Sequence, residues 1–166
     1  MIRTRIISAA MLFYENDLLM MERSLTRTLN PGMWAVVGGH LEPSEISDPK
    51  AACLREIEEE TGLTQDDIRD LKLQYILLRL NRNEVRQQFI YTATALKREV
   101  AQTDEGDLHW IPREDVLNRD IPFIFRSLLA HYFENGPSPH IWVGTAGIDD
   151  SANPIVRWTE LIDPGV

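Results

Sequence analysis

Apolar and polar positions divide this chain into short blocks, most of them patterned as strands. Ile6 to Tyr14 is largely apolar, Glu15-Asn16-Asp17 is polar, and Leu18 to Met21 resumes the apolar run. That order of run, polar turn and run predicts a hairpin of strands Thr4 to Tyr14 and Leu18 to Arg23. A polar loop from Ser24 to Pro31 leads to a short strand, Trp34 to Val37, which runs into Gly38-Gly39. Lys72 to Arg79 and Val85 to Leu96, joined by Asn81-Arg82-Asn83, predict two more strands, and Asp107 to Ile111 a further short one. Near the C-terminus, His140 to Val143 and Ile155 to Leu161 are the last strand candidates.

Two blocks have helical spacing instead. In the first, Asp48 suits the N-cap, Pro49 the first helical position and Gly62 the left-handed C-terminal position, which predicts a helix over Pro49 to Thr61. Its apolar side is expected to be Ala51, Leu54, Ile57 and Thr61. In the second, Pro122 opens FIFRSLLAHYFENG and Gly136 closes it. Strands interrupted by two separated helices predict an α/β (α+β) fold, a mixed β-sheet between helices, rather than an alternating Rossmann pattern.

With 166 residues, 43% of them apolar, and no Ser/Gly-rich linker, residues 1–166 are expected to form a single domain. No apolar stretch approaches the roughly 18 residues that suggest a membrane span. Arg3 and Arg5 before the first apolar run imitate a signal peptide, but no small-residue cleavage site follows. Cys53 is the only cysteine, so no intramolecular disulfide exists, and a packing role in a reducing, cytoplasmic setting is expected.

Charge changes the picture more than composition does. The formal net charge of −9 argues against a partner that is a nucleic-acid polymer. Between Glu42 and Asp70 ten acids face three bases, so seven of the nine net negative charges lie in this one segment. Within it, Glu56, Glu59 and Glu60 stand at i, i+3 and i+4, within about 100° of one helical face. In water these carboxylates repel one another. A divalent cation would turn the repulsion into binding.

The run from Gly39 to Leu63 resembles the Nudix box: Gly39 and Glu45, then Arg55, Glu56, Ile57, Glu59, Glu60, Gly62 and Leu63 match its pattern. Nine residues separate Glu45 from Arg55 where the family has seven, and the position of Pro49 puts the two extra residues in the loop near Ile46 and Ser47. The resemblance implies a Nudix-type α/β/α sandwich and hydrolysis of a pyrophosphate bond in a nucleoside diphosphate-linked substrate, with Mg²⁺ or Mn²⁺ as cofactor. It implies Glu59 and Glu60 as metal ligands, Glu56 as a further ligand or the base, the Gly38 carbonyl as another ligand, and Arg55 as the residue that orients the glutamates. An acid outside the box often joins such a site; Glu105 is the first choice, with Asp104, Asp107 and Glu84 as alternatives.

The partner so implied is a small-molecule nucleotide, with the protein a monomer or homodimer. Signatures for ADP-ribose and dinucleoside polyphosphates are missing: Leu78, Arg79 and Leu80 stand where a Pro or Tyr would. That leaves a nucleoside triphosphate cleaved to monophosphate and pyrophosphate, and the C-terminal layout resembles 8-oxo-purine nucleoside triphosphate hydrolases. Hydrolysis of ADP-ribose or another conjugate, and a sensor that binds a nucleotide without cleaving it, are the alternatives. Phe123, Phe125 and Trp142 are candidates for stacking a base, or for the core; Arg23 and Arg86 are candidates for phosphate contact, or for the surface.

Overall fold

Strand β1 (Arg3–Tyr14) alternates between the two sides of one sheet: Ala9 and Met11 point to one side, Ala10 and Leu12 to the other, and all four are buried. A strand covered on both faces reads as a continuous apolar run, which is why its sequence lacks polar alternation. In this computed structural model, which describes residues 1–166, β2 (Asp17–Arg23) repeats the pattern, with Leu18 and Met20 on one side and Leu19 and Met21 on the other.

The remaining strands are β3 (Trp34–Ala35), β4 (Val37–His40), β5 (Ile68–Asn81), β6 (Glu84–Ala95), β7 (Gly106–Pro112), β8 (Ile141–Ile148) and β9 (Pro154–Leu161). They form one nine-stranded sheet in the order β3-β2-β1-β6-β5-β8-β9, with β4 paired to β1 and β7 to β2. The β1–β6 and β5–β8 pairings are parallel and the others antiparallel, so the sheet is mixed. Helix α1 (Pro49–Thr61) covers one face through Cys53 and Ile57. After the four-residue α2 (Arg113–Val116), helix α3 (Phe123–Asn135) covers the other face with Leu128, Leu129 and Tyr132. The helices thus sandwich the sheet, as the sequence predicts. No helix is long and apolar enough to cross a membrane.

Several boundaries differ from the sequence expectation. The stretch expected as one strand from Trp34 to Val37 breaks at Val36: β3 pairs with β2, and β4 carries Gly38 and Gly39 into the sheet beside β1. Strand β5 starts at Ile68, not Lys72, because irregular registers at Arg69/Lys72 and Leu73/Tyr75 let a non-alternating segment stay paired. Strand β8 runs on to Ile148, and α2 has no apolar periodicity to announce it.

Helix α1 is capped as expected. Asp48 accepts from the Ala51 amide at 3.1 Å, and Gly62 (φ 74°) donates its N–H to Glu58 O at 2.9 Å. Its buried side, however, is Ala52, Cys53, Ile57, Glu60 and Thr61; Ala51 is exposed and Leu54 only partly covered. Small Ala52 and Cys53 let the helix lie close to the sheet, and Ser8 Oγ donates to Pro49 O at 2.7 Å where its first turn meets β1.

Burial pushes the Cys53 thiol up to about 12. The sign is that of an acid kept neutral by folding: its contribution to stability is complete below the thiol's ordinary value near 9 and is lost as pH rises toward 12. A thiol-specific disulfide reagent at pH 8 is expected to leave the native protein unmodified and to titrate one thiol after denaturation. Rapid native labelling would contradict the packing role.

Candidate active site

The four N-terminal residues of the acidic block are already tied together before the helix begins. A 3₁₀ turn, Pro43–Glu45, brings Glu45 Oε2 to within 2.9 Å of the Glu42 N–H, which fixes the Glu45 carboxylate. Arg55 then meets that carboxylate with two N–H groups, Nε at 2.8 Å and Nη2 at 3.0 Å, the two-pronged pairing that suits a guanidinium. Glu45 therefore reaches Arg55 despite the two extra residues, which bulge out beyond the turn where Ile46 is exposed.

Arg55 has three more N–H groups, and each finds an acceptor. Nη1 donates to Glu56 Oε1 at 2.8 Å and to Glu59 Oε2 at 3.0 Å, and Nη2 to His40 O at 3.1 Å. All five donors of the guanidinium are used. Glu45 is held below the usual carboxylate range by Arg55, and Arg55 is in turn locked in its charged form, chiefly by Glu45.

Glu60 lies on the buried side of α1 at 7% exposure, although the apolar side expected from the sequence, Ala51, Leu54, Ile57 and Thr61, does not include it. Its Oε2 accepts the Gly38 N–H at 3.0 Å, so the Gly38 amide is the group engaged. The two glycines make the approach possible. A Cβ at Gly39 would strike the Glu56 carboxylate, and one at Gly38 would strike Ala9. Gly38-Gly39 thus forms a gap in β4 through which carboxylates of α1 reach the cleft.

The turn between Thr103 and Gly106 supplies the facing acid. Glu105 comes within hydrogen-bonding reach of Glu60, and Arg27 Nη2 lies 3.8 Å from its Oε1. Burial first, then Glu105, push Glu60 well above the usual carboxylate range, against a smaller pull from the Gly38 N–H. Glu56 is also raised by burial, partly countered by Arg55. Two facing carboxyl groups need a proton or a cation between them. The set is all hard oxygen, the chemistry that suits Mg²⁺ or Mn²⁺. As the side chains stand, no three of them surround a common point at metal-ligand spacing; Glu56 and Glu59 are both drawn to Arg55 Nη1.

These acids open into a cleft of about 660 Å³ that has three kinds of wall. Glu56, Glu59, Glu60 and Glu105 form the acidic one. Ile7, Trp34, Leu77, Ile124 and Phe125 form an apolar one. Arginines from separate elements, Arg5, Arg23, Arg27, Arg79 and Arg86, form the third.

Of the residues singled out in the sequence, Gly38, Arg55, Glu56, Glu59, Glu60 and Glu105 all meet at this cleft, as do Phe125, Arg23 and Arg86. Asp104 and Asp107 face a separate shallow depression beside Glu22. Glu84 is occupied by Arg86 and Arg5. Phe123 is exposed, and Trp142 packs in the core against His131, with ring centroids 4.7 Å apart. Trp34, His40, Arg5, Arg27 and Arg79 were missed. Two-residue alternation would have put Arg5 on the side of Ile7 and Arg79 on that of Leu77, but nothing local shows that these strands lie near one another.

A family model for the NUDIX domain matches residues 4–132. Among solved structures, the MutT protein from Methanosarcina mazei Go1 superposes with a TM-score of 0.70 at 21% identity, covering 82% of this chain and 98% of that one. A MutT protein from Bacillus halodurans gives 0.67 at 20% identity over 93% and 97% of the two chains. An Ap4A hydrolase from C. elegans gives 0.65 at 17% identity over 78% and 96%. At these identities the likeness is one of fold.

Proposed function

Because this chain belongs to the Nudix family, and is a hydrolase of nucleotide pyrophosphate bonds, we propose that its substrate is a nucleoside triphosphate, oxidised purine forms included, cleaved to monophosphate and pyrophosphate. The observation that carries this reading is the buried Glu60 facing Glu105 across the glycine gap, in a cleft whose other walls are cationic and apolar. An acidic protein with a polyanionic substrate needs that division. The carboxylates cannot meet phosphate directly, while the arginines and the apolar wall can hold the rest of a nucleotide.

Glu56, Glu59 and Glu60, with the Gly38 carbonyl, would hold Mg²⁺ or Mn²⁺. When bound, the ion supplies charge neutralisation on the phosphoryl oxygens and lowers the pKa of water. Arg55 fixes Glu56 and Glu59 by charge-assisted hydrogen bonds and so sets where their free oxygens point. Glu105, on a turn rather than on the helix, would take a proton from the attacking water at its carboxylate oxygen, with Glu56 as the second candidate for that base. Arg23, at the end of β2, and Arg27, in the loop after it, reach the cleft and would steady the phosphate chain; Arg23 Nε is anchored on Leu29 O at 3.0 Å. Phe125 and Trp34 offer faces on which a base can stack.

The test is hydrolysis of ordinary and oxidised nucleoside triphosphates, ADP-ribose and sugar nucleotides in ¹⁸O water, with products identified by mass. Triphosphates are expected to give labelled monophosphate or labelled pyrophosphate only when Mg²⁺ or Mn²⁺ is present. Glu105→Gln should lower kcat about 10² to 10⁴-fold with little change in KM. Undiminished turnover in EDTA, or by the Glu105→Gln protein, would remove the corresponding assignment.

A further inference from the structure

Three arginines stand side by side on adjacent strands inside the cleft. Arg5 of β1 is opposite Arg86 of β6 in their parallel ladder, and Arg86 is opposite Arg79 of β5 in their antiparallel one. All three line the cleft. Arg5 is the near end of the row. Its Nη1 lies 3.3 Å from His40 Nε2, and His40 O accepts from Arg55. Arg79 is two strands further on, about 10 Å away along the row.

Like charges directly opposite one another destabilise a sheet. This chain has 26 acidic residues against 17 basic ones, yet a single acid meets the row. Glu84 Oε1 takes Arg86 Nε at 2.6 Å, and Oε2 lies 3.2 Å from Arg5 Nε. Glu84 thereby clamps two guanidinium groups by their Nε edges and leaves their Nη edges toward other partners. The Nη groups of Arg86 and the whole guanidinium of Arg79 meet no acceptor in the protein.

The row continues a gradient along the sheet face that α3 leaves open. Ala9, Ile90 and Tyr75 lie under the helix, Ile7, Gln88 and Leu77 form the next rank, and the arginines come after them. Base, sugar and a charged group on the sugar or at a chain end would meet these ranks in that order. Guanidinium N–H pairs match the spacing of phosphate oxygens.

We propose that the Arg5–Arg86–Arg79 row is a subsite for a phosphate of the substrate other than the anhydride that is cleaved. The preferred substrate is then a nucleotide that carries such a further phosphate. This rests on the hydrolytic reading above for which bond is broken, while the anion site itself can be measured without turnover. The phosphate has two sources, a phosphomonoester on the ribose or the far end of a longer polyphosphate chain.

Calorimetry in EDTA separates these. Adenosine 3′,5′-bisphosphate against adenosine 5′-monophosphate reports the ribose phosphate, and adenosine 5′-tetraphosphate against 5′-triphosphate reports the chain end. In one of the two pairs, wild-type protein is expected to bind the ligand with the extra phosphate about tenfold or more tightly. Arg79→Gln, at an exposed position, should lose most of that preference and flatten its salt dependence, whereas Glu60→Gln should keep it. Equal affinities within both pairs, or a preference unchanged in Arg79→Gln, would overturn the subsite even if the protein hydrolyses triphosphates. A preference that depends on Arg79 in a protein that hydrolyses nothing would uphold the subsite and defeat the hydrolytic reading.

Discussion

Glu60→Gln is expected to lower kcat by about a thousandfold or more, and at the same time to raise the melting temperature of the metal-free protein by about 2–4 °C. The two effects have one cause. Glu60 is almost fully buried, faces Glu105 and has a single N–H donor, from Gly38, so in the absence of a cation its charge is uncompensated. A glutamine keeps an oxygen for the Gly38 N–H and brings N–H groups that can donate to Glu105. Folding therefore gains while the charge proposed to hold the cation is lost.

The pH dependence follows from the raised pKa. The neutral form of Glu60 is favoured by folding, so its contribution is complete below the ordinary value of 4.5 and is lost as pH climbs through the higher folded value. The stability gap in favour of Glu60→Gln should thus be small at pH 4 and widen toward pH 8. Thermal melts at the two pH values, with EDTA and with Mg²⁺, measure it, and Mg²⁺ should stabilise only the wild type. A variant less stable than wild type in EDTA at pH 8 would show that Glu60 is an ordinary buried acid.

The second large effect is expected at Arg55, to which the proposed function gives the role of a positioning residue. Arg55→Met leaves Glu45, Glu56 and Glu59 facing one another without their shared cation, and the melting temperature is expected to fall by about 5–10 °C. Arg55→Lys restores the charge but only three donors in place of five, with no planar fork for Glu45. It should recover most of the stability and little of the rate, leaving kcat about a hundredfold down with KM near its wild-type value and more Mg²⁺ needed for half-maximal rate. If Lys restores both rate and stability, Arg55 serves as a charge alone.

The fold and the acidic centre were legible in the sequence because their signals are local. Asp48, Pro49 and Gly62 mark α1, the runs from Ile6 and Leu18 with the polar turn between them mark the first hairpin, and the spacing of Glu56, Glu59 and Glu60 marks one helical face. The burial of Glu60 was not legible, since it depends on a glycine gap in a strand that joins the helix only in the folded state. The break at Val36 was hidden for a similar reason: β3 and β4 leave for different partners, and sequence spacing carries no partner identity. Trp34 and two members of the arginine row, Arg5 and Arg79, were missed because each reads locally as an ordinary strand residue, while Arg86 was singled out without its neighbours. Trp142, read as a candidate for stacking a base or for the core, is held in the core by His131, whose place in the fold no pattern near Trp142 reveals.

The parallel pairing of β1 with β6 also constrains the order in which the protein can assemble. Arg3 is opposite Glu84 and Phe13 opposite Thr94, so β1 waits for residues 84–95 before its second edge is filled. Helix α1 and the hairpin of β5 and β6 are made of near neighbours in sequence, whereas closing the middle of the sheet spans half the chain, a high-contact-order step. The clamp of Arg5, Glu84 and Arg86 straddles that seam, so the cationic wall of the cleft is completed only when the long-range closure is made.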